Sequence, residues 1–150
     1  MIVAQISDMH MKRRGHILHH MPHVAQPLRR VLTAIAGLRP APDCIIATGD
    51  LTESGTLDEY ARLRGILREH SELPVYLLPG NHDRVEALTT VFWDHAYLRE
   101  SRQGVLFTVE RESWRLVALD SSREERAGGY LSERRLEWLG RRLDERRDTM

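Results

Sequence analysis

Cys44-Ile45-Ile46-Ala47-Thr48-Gly49-Asp50 is a short, nearly continuous apolar segment that ends in a glycine and an aspartate. Two other segments have the same design. An apolar run at residues 2–6 leads into Asp8-Met9-His10, and the run Val75–Leu78 leads into Gly80-Asn81-His82-Asp83. Apolar runs of this length predict parallel strands that are buried on both faces. Each predicted strand therefore has polar side chains of the metal-ligand type just past its carboxyl end.

Helical patterns separate the three predicted strands. Over residues 24–38 the apolar side chains fall on one face of a helix. A second helix is predicted to begin at Thr56, because Thr56 and Glu59 have the spacing of a capping box. A third helix is predicted for residues 84–95. The order βαβαβ predicts a parallel sheet with its ligand site beyond the carboxyl ends of the strands.

The pattern changes after the third helix. Two strand-like runs, residues 105–109 and 116–119, flank a polar turn and predict an antiparallel hairpin. Ser132 is predicted to cap a last helix. The apolar face of that helix is formed by Leu136, Leu139 and Leu143. Because we find neither a repeat nor a linker, we predict a single domain over residues 1–150.

Composition limits the class of protein. The chain has 150 residues, 41% of them apolar, and a formal net charge of zero. A neutral chain gives no support for a nucleic-acid or membrane partner, so we predict neither. No apolar run reaches the ~20 residues of a membrane span, and the N-terminus lacks the pattern of a signal peptide. Cys44 is the only cysteine, which excludes an internal disulfide. We therefore expect a cytoplasmic protein; a homo-oligomer is possible.

The polar segments have the composition of a metal site. Carboxylates and neutral imidazoles suit Mn, Fe or Zn. Asp8 and His10 share one face of an extended chain, and a carboxylate such as Asp50 can bridge two ions about 3.5–4 Å apart. His82 is a candidate proton donor to a leaving alkoxide, or a clamp on a phosphate. Each segment alone also fits a helix cap or a turn, so the prediction depends on all three occurring in order.

These motifs resemble those of the calcineurin-like metallophosphoesterase superfamily. The matching segments are residues 6–10, 47–52 and 78–83. Residues 55–60 and 119–122 are similar to the bacterial branch that contains cyclic-nucleotide phosphodiesterases and glycerophosphodiesterases. The resemblance implies an α/β fold in which a metallophosphoesterase-type β-sandwich is flanked by helices, in the layer order α/β/β/α.

The resemblance also implies a role for each candidate residue. Asp8 and His10 would bind the first of two divalent metal ions, and Asp50 would bridge them. Asn81 would bind the second ion, and His82 would contact the phosphate. In the family, later histidines complete the ligand set, and the motifs that carry them are not found in these 150 residues. The chain is therefore expected to be the N-terminal part of a longer domain.

The leading hypothesis is a metal-dependent phosphodiesterase that hydrolyses a small phosphodiester, either a 3',5'-cyclic nucleotide or a glycerophosphodiester. The alternative is a non-catalytic or inactive fragment of this fold that acts as a binding or assembly module. A nuclease is less favoured because no basic groove is evident. Phosphomonoesterase activity stays open.

A histidine cluster follows the first motif. Its members are His16, His19, His20 and His23. Gly15 and Pro22 argue against a regular helix there, so we predict a solvated polar loop beside the site. The main alternative is that one of these histidines faces the substrate.

Overall fold

A three-stranded parallel sheet forms the first half of the molecule. The computed structural model describes residues 1–13, 24–100, 104–111, 114–123 and 126–145. The strands are β1 Val3–Ser7, β2 Cys44–Thr48 and β3 Val75–Leu78. They lie side by side in the order β1-β2-β3, with Ile6 opposite Ala47 and Ala47 opposite Leu77. The predicted parallel sheet is confirmed, and β1 is shifted by one residue from the predicted run.

Helices connect these strands and pack beside them. They are α1 Ala25–Gly37, α2 Leu57–His70 and α3 Val85–Val91. The predicted capping box at the start of α2 is confirmed. The Glu59 N–H donates to the Thr56 hydroxyl oxygen at 3.4 Å, and the Thr56 N–H donates to the Glu59 carboxylate at 3.1 Å. These two bonds satisfy donors that the first turn of a helix leaves open, so the start of α2 is fixed locally.

The third helix is shorter than predicted. It ends at Val91, and a separate 3₁₀ segment spans Ala96–Arg99. The Tyr97 hydroxyl in that segment accepts from the Leu77 N–H at 3.0 Å and donates to the Val75 carbonyl at 3.1 Å. A continuous helix through residue 95 would not present Tyr97 in this way, so the tertiary contact with β3 accounts for the break.

A two-stranded antiparallel sheet follows. It consists of β4 Leu106–Glu110 and β5 Arg115–Leu119, with Phe107 opposite Ala118. This confirms the predicted hairpin. The Phe107 ring packs against Tyr97 and Tyr76, with ring centroids 4.4 and 6.1 Å apart. The two sheets therefore share one core, which places the hairpin beside the parallel sheet and confirms the α/β class.

The last helix, α4, spans Glu133–Asp144, and the Ser132 side chain caps it as predicted. None of its residues is buried within the part of the chain that the structure describes, and Leu136 and Leu143 are 48% and 55% exposed. Arg135 joins the helix to β5, because its Nη1 donates to the carbonyl of the buried Asp120 at 2.7 Å. The predicted apolar face thus exists but is left largely uncovered by the described residues.

Cys44 lies in the core. Cys44 is 1% exposed, so it packs as a small hydrophobic side chain, and burial raises the pKa of its thiol. Within the described ranges, none of the helices has the length and apolar character needed to cross a bilayer.

Candidate metal centre

The first two motifs lie side by side beyond the ends of β1 and β2. The Asp8 N–H donates to the Gly49 carbonyl at 3.2 Å, and the His10 N–H donates to the Asp50 carbonyl at 2.9 Å. One residue further on, Met11 and Thr52 form an isolated parallel bridge. The pairing of the two strands therefore continues into the motifs, and it fixes His10 beside Asp50.

Three predicted metal ligands have an unusual backbone conformation. Asp8, His10 and Asp50 have φ angles of +53°, +41° and +42°, in the left-handed region. They are the only non-glycine residues in the described part of the chain with a positive φ. Each such residue costs on the order of 1–3 kcal/mol, and residues of this kind cluster at functional sites. The strain thus falls on the positions at which the sequence predicts metal binding.

His10, Asp50 and His82 bring their side chains to one point. One ligand-type atom from each lies within 4.8 Å of the other two. The His10 Nε2 is 3.7 Å from the Asp50 Oδ2, and the two imidazole rings meet edge to face with centroids 4.9 Å apart. Two imidazoles and one carboxylate form a donor set that suits Mn, Fe or Zn. The residues present therefore fit a divalent transition-metal ion.

The other two candidate ligands lie around this group of three. Asp8 is outside it, although its backbone is joined to Gly49. Asn81 lines an adjoining cleft of about 470 Å³ beyond the carboxyl ends of β2, β3 and β5, together with Gly80 and Ser121. His82, predicted to contact the phosphate, lies within the same group of metal-type donors as His10 and Asp50. The predicted histidine cluster, His16, His19, His20 and His23, lies outside the described residues.

Gly80 allows the third motif to approach the second. A Cβ at this position would lie 2.2 Å from both the backbone nitrogen and the Oδ1 of Asp50. Two residues later, the His82 N–H donates to the same Oδ1 at 3.2 Å. Because backbone and a functional carboxylate occupy the space that a side chain would need, only glycine permits this contact.

We expect Gly80→Ala to weaken metal binding by at least about tenfold and to lower the free energy of unfolding by about 1–3 kcal/mol, because the added methyl displaces Asp50. Mn²⁺ titration and urea denaturation measure the two effects. Gly65→Ala is the matched control, since nothing lies within 4 Å of its Cβ position and an alanine favours the helix by about 1 kcal/mol. Equal Mn²⁺ affinity in the two variants would contradict the role of Gly80.

Asp83 connects the second and third motifs through hydrogen bonds to both. Its carboxylate is fully buried. It accepts hydrogen bonds from the N–H groups of Leu51 at 2.9 Å, Thr52 at 3.1 Å and Gly80 at 2.8 Å. The Tyr60 hydroxyl donates to it at 2.7 Å, and burial beside this carboxylate raises the pKa of Tyr60. A buried carboxylate with this many donors fixes the relative position of two loops.

Sequence reasoning assigned no role to Glu53, which touches both site histidines. Its Oε2 lies 3.0 Å from the His10 Nδ1, and its backbone carbonyl lies 2.8 Å from the His82 Nδ1. The hydrogen bond to this carbonyl raises the pKa of His82 above its ordinary value. The only signal in the sequence was its position three residues after Asp50.

A family model for calcineurin-like phosphoesterases matches residues 1–145. The chain belongs to this family. The match includes all three motifs and both sheets. The predicted family resemblance is confirmed.

The chain is also similar to curated phosphodiesterases. It is 35% identical over 144 residues to a probable glycerophosphodiester phosphodiesterase of Arcobacter nitrofigilis, with 96% of this chain and 52% of the relative covered. It is 31% identical over 143 residues to a 3',5'-cyclic adenosine monophosphate phosphodiesterase of Pseudomonas aeruginosa, with 95% and 50% covered. The chain thus spans about half the length of the curated relatives it matches.

Proposed function

We propose that this chain carries the active site of a metal-dependent phosphodiesterase that uses two divalent ions. Its substrate is a small phosphodiester, either a 3',5'-cyclic nucleotide or a glycerophosphodiester. The convergence of His10, Asp50 and His82 at the ends of parallel strands is the observation that carries the proposal. The similarity to relatives named as glycerophosphodiester and cyclic-nucleotide phosphodiesterases supports the substrate class. A cytoplasmic location, and the absence of nucleic-acid and membrane partners, belong to the same proposal.

The predicted ligands would be shared between the two ions. Asp8, His10 and Asp50 would hold one ion, and Asp50 and Asn81 would hold the second. When bound, the ions would neutralise phosphate charge and lower the pKa of a bound water. Gly80 keeps the backbone close to Asp50, and the cleft next to Asn81 offers space for a small ester.

His82 would serve the leaving group. Its Nδ1 is hydrogen-bonded to the Glu53 carbonyl, so Nε2 is the ring nitrogen that can act on the substrate. A proton held at Nε2 can pass to an alkoxide, or it can hydrogen-bond a phosphoryl oxygen. Both roles require the ring to stay where the Glu53 carbonyl holds it.

One observation favours a second candidate. The chain spans about half the length of the relatives it matches. The second candidate is therefore a chain whose metal ligands do not suffice for turnover. In that case the chain would act as a binding or assembly module, or a second copy would complete the site in a homo-oligomer.

The test is hydrolysis of bis(p-nitrophenyl) phosphate by the purified chain with added Mn²⁺, with EDTA as the metal-free control. p-Nitrophenyl phosphate measures monoesterase activity in parallel. Cyclic AMP and glycerophosphoethanolamine, with product analysis, then separate the two diester classes. Metal-dependent diester hydrolysis supports the proposal. Mn²⁺ binding without hydrolysis supports the binding-module alternative, and binding to DNA that falls steeply with salt would indicate a nuclease.

A further inference from the structure

We propose that Glu53 is a positioning residue that orients both imidazoles of the site, His10 through its carboxylate and His82 through its backbone carbonyl. This inference rests on the proposed metal-dependent function and deepens it. The two contacts come from different groups of one residue, at 3.0 and 2.8 Å, so a single loop position controls two rings.

The contact with His82 determines which ring nitrogen carries hydrogen. A carbonyl oxygen only accepts hydrogen bonds, so the Nδ1 that lies 2.8 Å from it must be the donor. In the neutral ring the lone pair is then on Nε2. When the ring is protonated, Nε2 carries the second hydrogen, which is the proton proposed above for the leaving group.

The contact with His10 has the same consequence. The Nδ1 of His10 is buried and has no well-aligned hydrogen-bond partner among the described residues. The Glu53 Oε2, 3.0 Å away, is a charged acceptor within reach. A carboxylate favours hydrogen on the nitrogen that faces it, which leaves the His10 Nε2 free on the side of Asp50, 3.7 Å from its Oδ2. Carboxylates in this position orient metal-binding histidines in many proteins.

The structure also holds Glu53 in place. Its N–H donates to the Met11 carbonyl at 3.1 Å, which ties its backbone to the first motif. Its Oε1 lies 3.9 Å from the Nζ of Lys12, whose side chain is only 7% exposed. Lys12 is the one lysine of the chain. The Lys12 ammonium thus restrains the Glu53 carboxylate on the side away from His10 by a charge contact.

Glu53→Gln tests the carboxylate, with Asp58→Asn as the matched control. Asp58 is an exposed acid that lines the same groove as Glu53 and Lys12. Long-range ¹H–¹⁵N spectra of the metal-free chain report which nitrogen of each ring carries hydrogen. We expect Nδ1–H on both rings in the natural chain, a shift of His10 toward the other tautomer in Glu53→Gln, and no change for His82, whose carbonyl partner remains.

Mn²⁺ titration gives the second readout. We expect affinity to fall 10- to 100-fold in Glu53→Gln and to stay unchanged in Asp58→Asn. Glu53→Asp is an additional variant that keeps the charge but withdraws it by one methylene, and it should shift the His10 tautomer in the same direction. It keeps the test decisive if Glu53→Gln folds poorly.

The results separate this inference from the proposed function. An unchanged His10 tautomer in the folded variants overturns the role of Glu53, whether or not the chain binds Mn²⁺. A changed tautomer with unchanged Mn²⁺ affinity also overturns it, because orientation would then have no effect on binding. A changed tautomer in a chain that never binds Mn²⁺ supports the orientation by Glu53 and counts against the proposed function instead.

Discussion

Asp50→Asn is expected to weaken Mn²⁺ binding strongly and to abolish phosphodiester hydrolysis while leaving the fold intact. The Asp50 carboxylate is the centre of the site: its Oδ2 lies 3.7 Å from the His10 Nε2, and its Oδ1 accepts from the His82 N–H at 3.2 Å. Asparagine has the same shape and tolerates the left-handed backbone at this position, where φ is +42°. The substitution therefore removes charge without adding strain.

The expected loss of Mn²⁺ affinity is at least about 100-fold, equivalent to about 2.8 kcal/mol, because a neutral amide replaces the one anionic donor of the group of three. Calorimetric titration and diester hydrolysis measure the effect, and thermal denaturation checks the fold. Asp58→Asn, the same chemical change at an exposed position, should behave like the natural chain. An Asp50→Asn protein that binds Mn²⁺ normally would exclude Asp50 as a ligand.

Asp83→Asn is expected to have the largest effect on stability. The fully buried carboxylate accepts from the backbone of Leu51, Thr52 and Gly80 and from the hydroxyl of Tyr60. An amide nitrogen in place of one oxygen would face these donors with another donor. We expect the free energy of unfolding to fall by at least about 3 kcal/mol, because buried hydrogen bonds to a charged group would be lost and donors left unpaired.

Urea denaturation measures this change, and the melting temperature should fall by roughly 6–12 °C in a chain of this size. Tyr60→Phe removes one of the donors and should cost less, about 1–2 kcal/mol. Asp94→Asn is the control, since that exposed carboxylate has one arginine partner, Arg64, and should change stability by under about 1 kcal/mol. A loss at Asp83 no larger than at Asp94 would show that Asp83 does not hold the two loops together.

The sheet and the motif positions could be predicted because their signals are local. The apolar runs that became β2 and β3 have the predicted bounds, Cys44–Thr48 and Val75–Leu78. The capping box at Thr56 depends on residues three apart. Parallel strands end at a common edge, so the meeting of His10, Asp50 and His82 also followed from the topology.

The supporting contacts could not be predicted, because they join residues distant in the chain through geometry that no local pattern encodes. Asp83 binds the Leu51 N–H across 32 positions, and Glu53 reaches His82 across 29. The end of α3 likewise depends on Tyr97 meeting β3. Sequence reasoning identified the groups proposed to carry the chemistry but missed the contacts that hold them in place.

At the left-handed residues of the site, stability and metal binding favour different amino acids. Asp8, His10 and Asp50 occupy backbone conformations that glycine would adopt with less strain. Glycine would favour folding stability at these positions, but it has no side chain with which to bind a metal. A variant selected for stability alone is therefore expected to differ from the functional sequence first at the residues proposed to hold the metal.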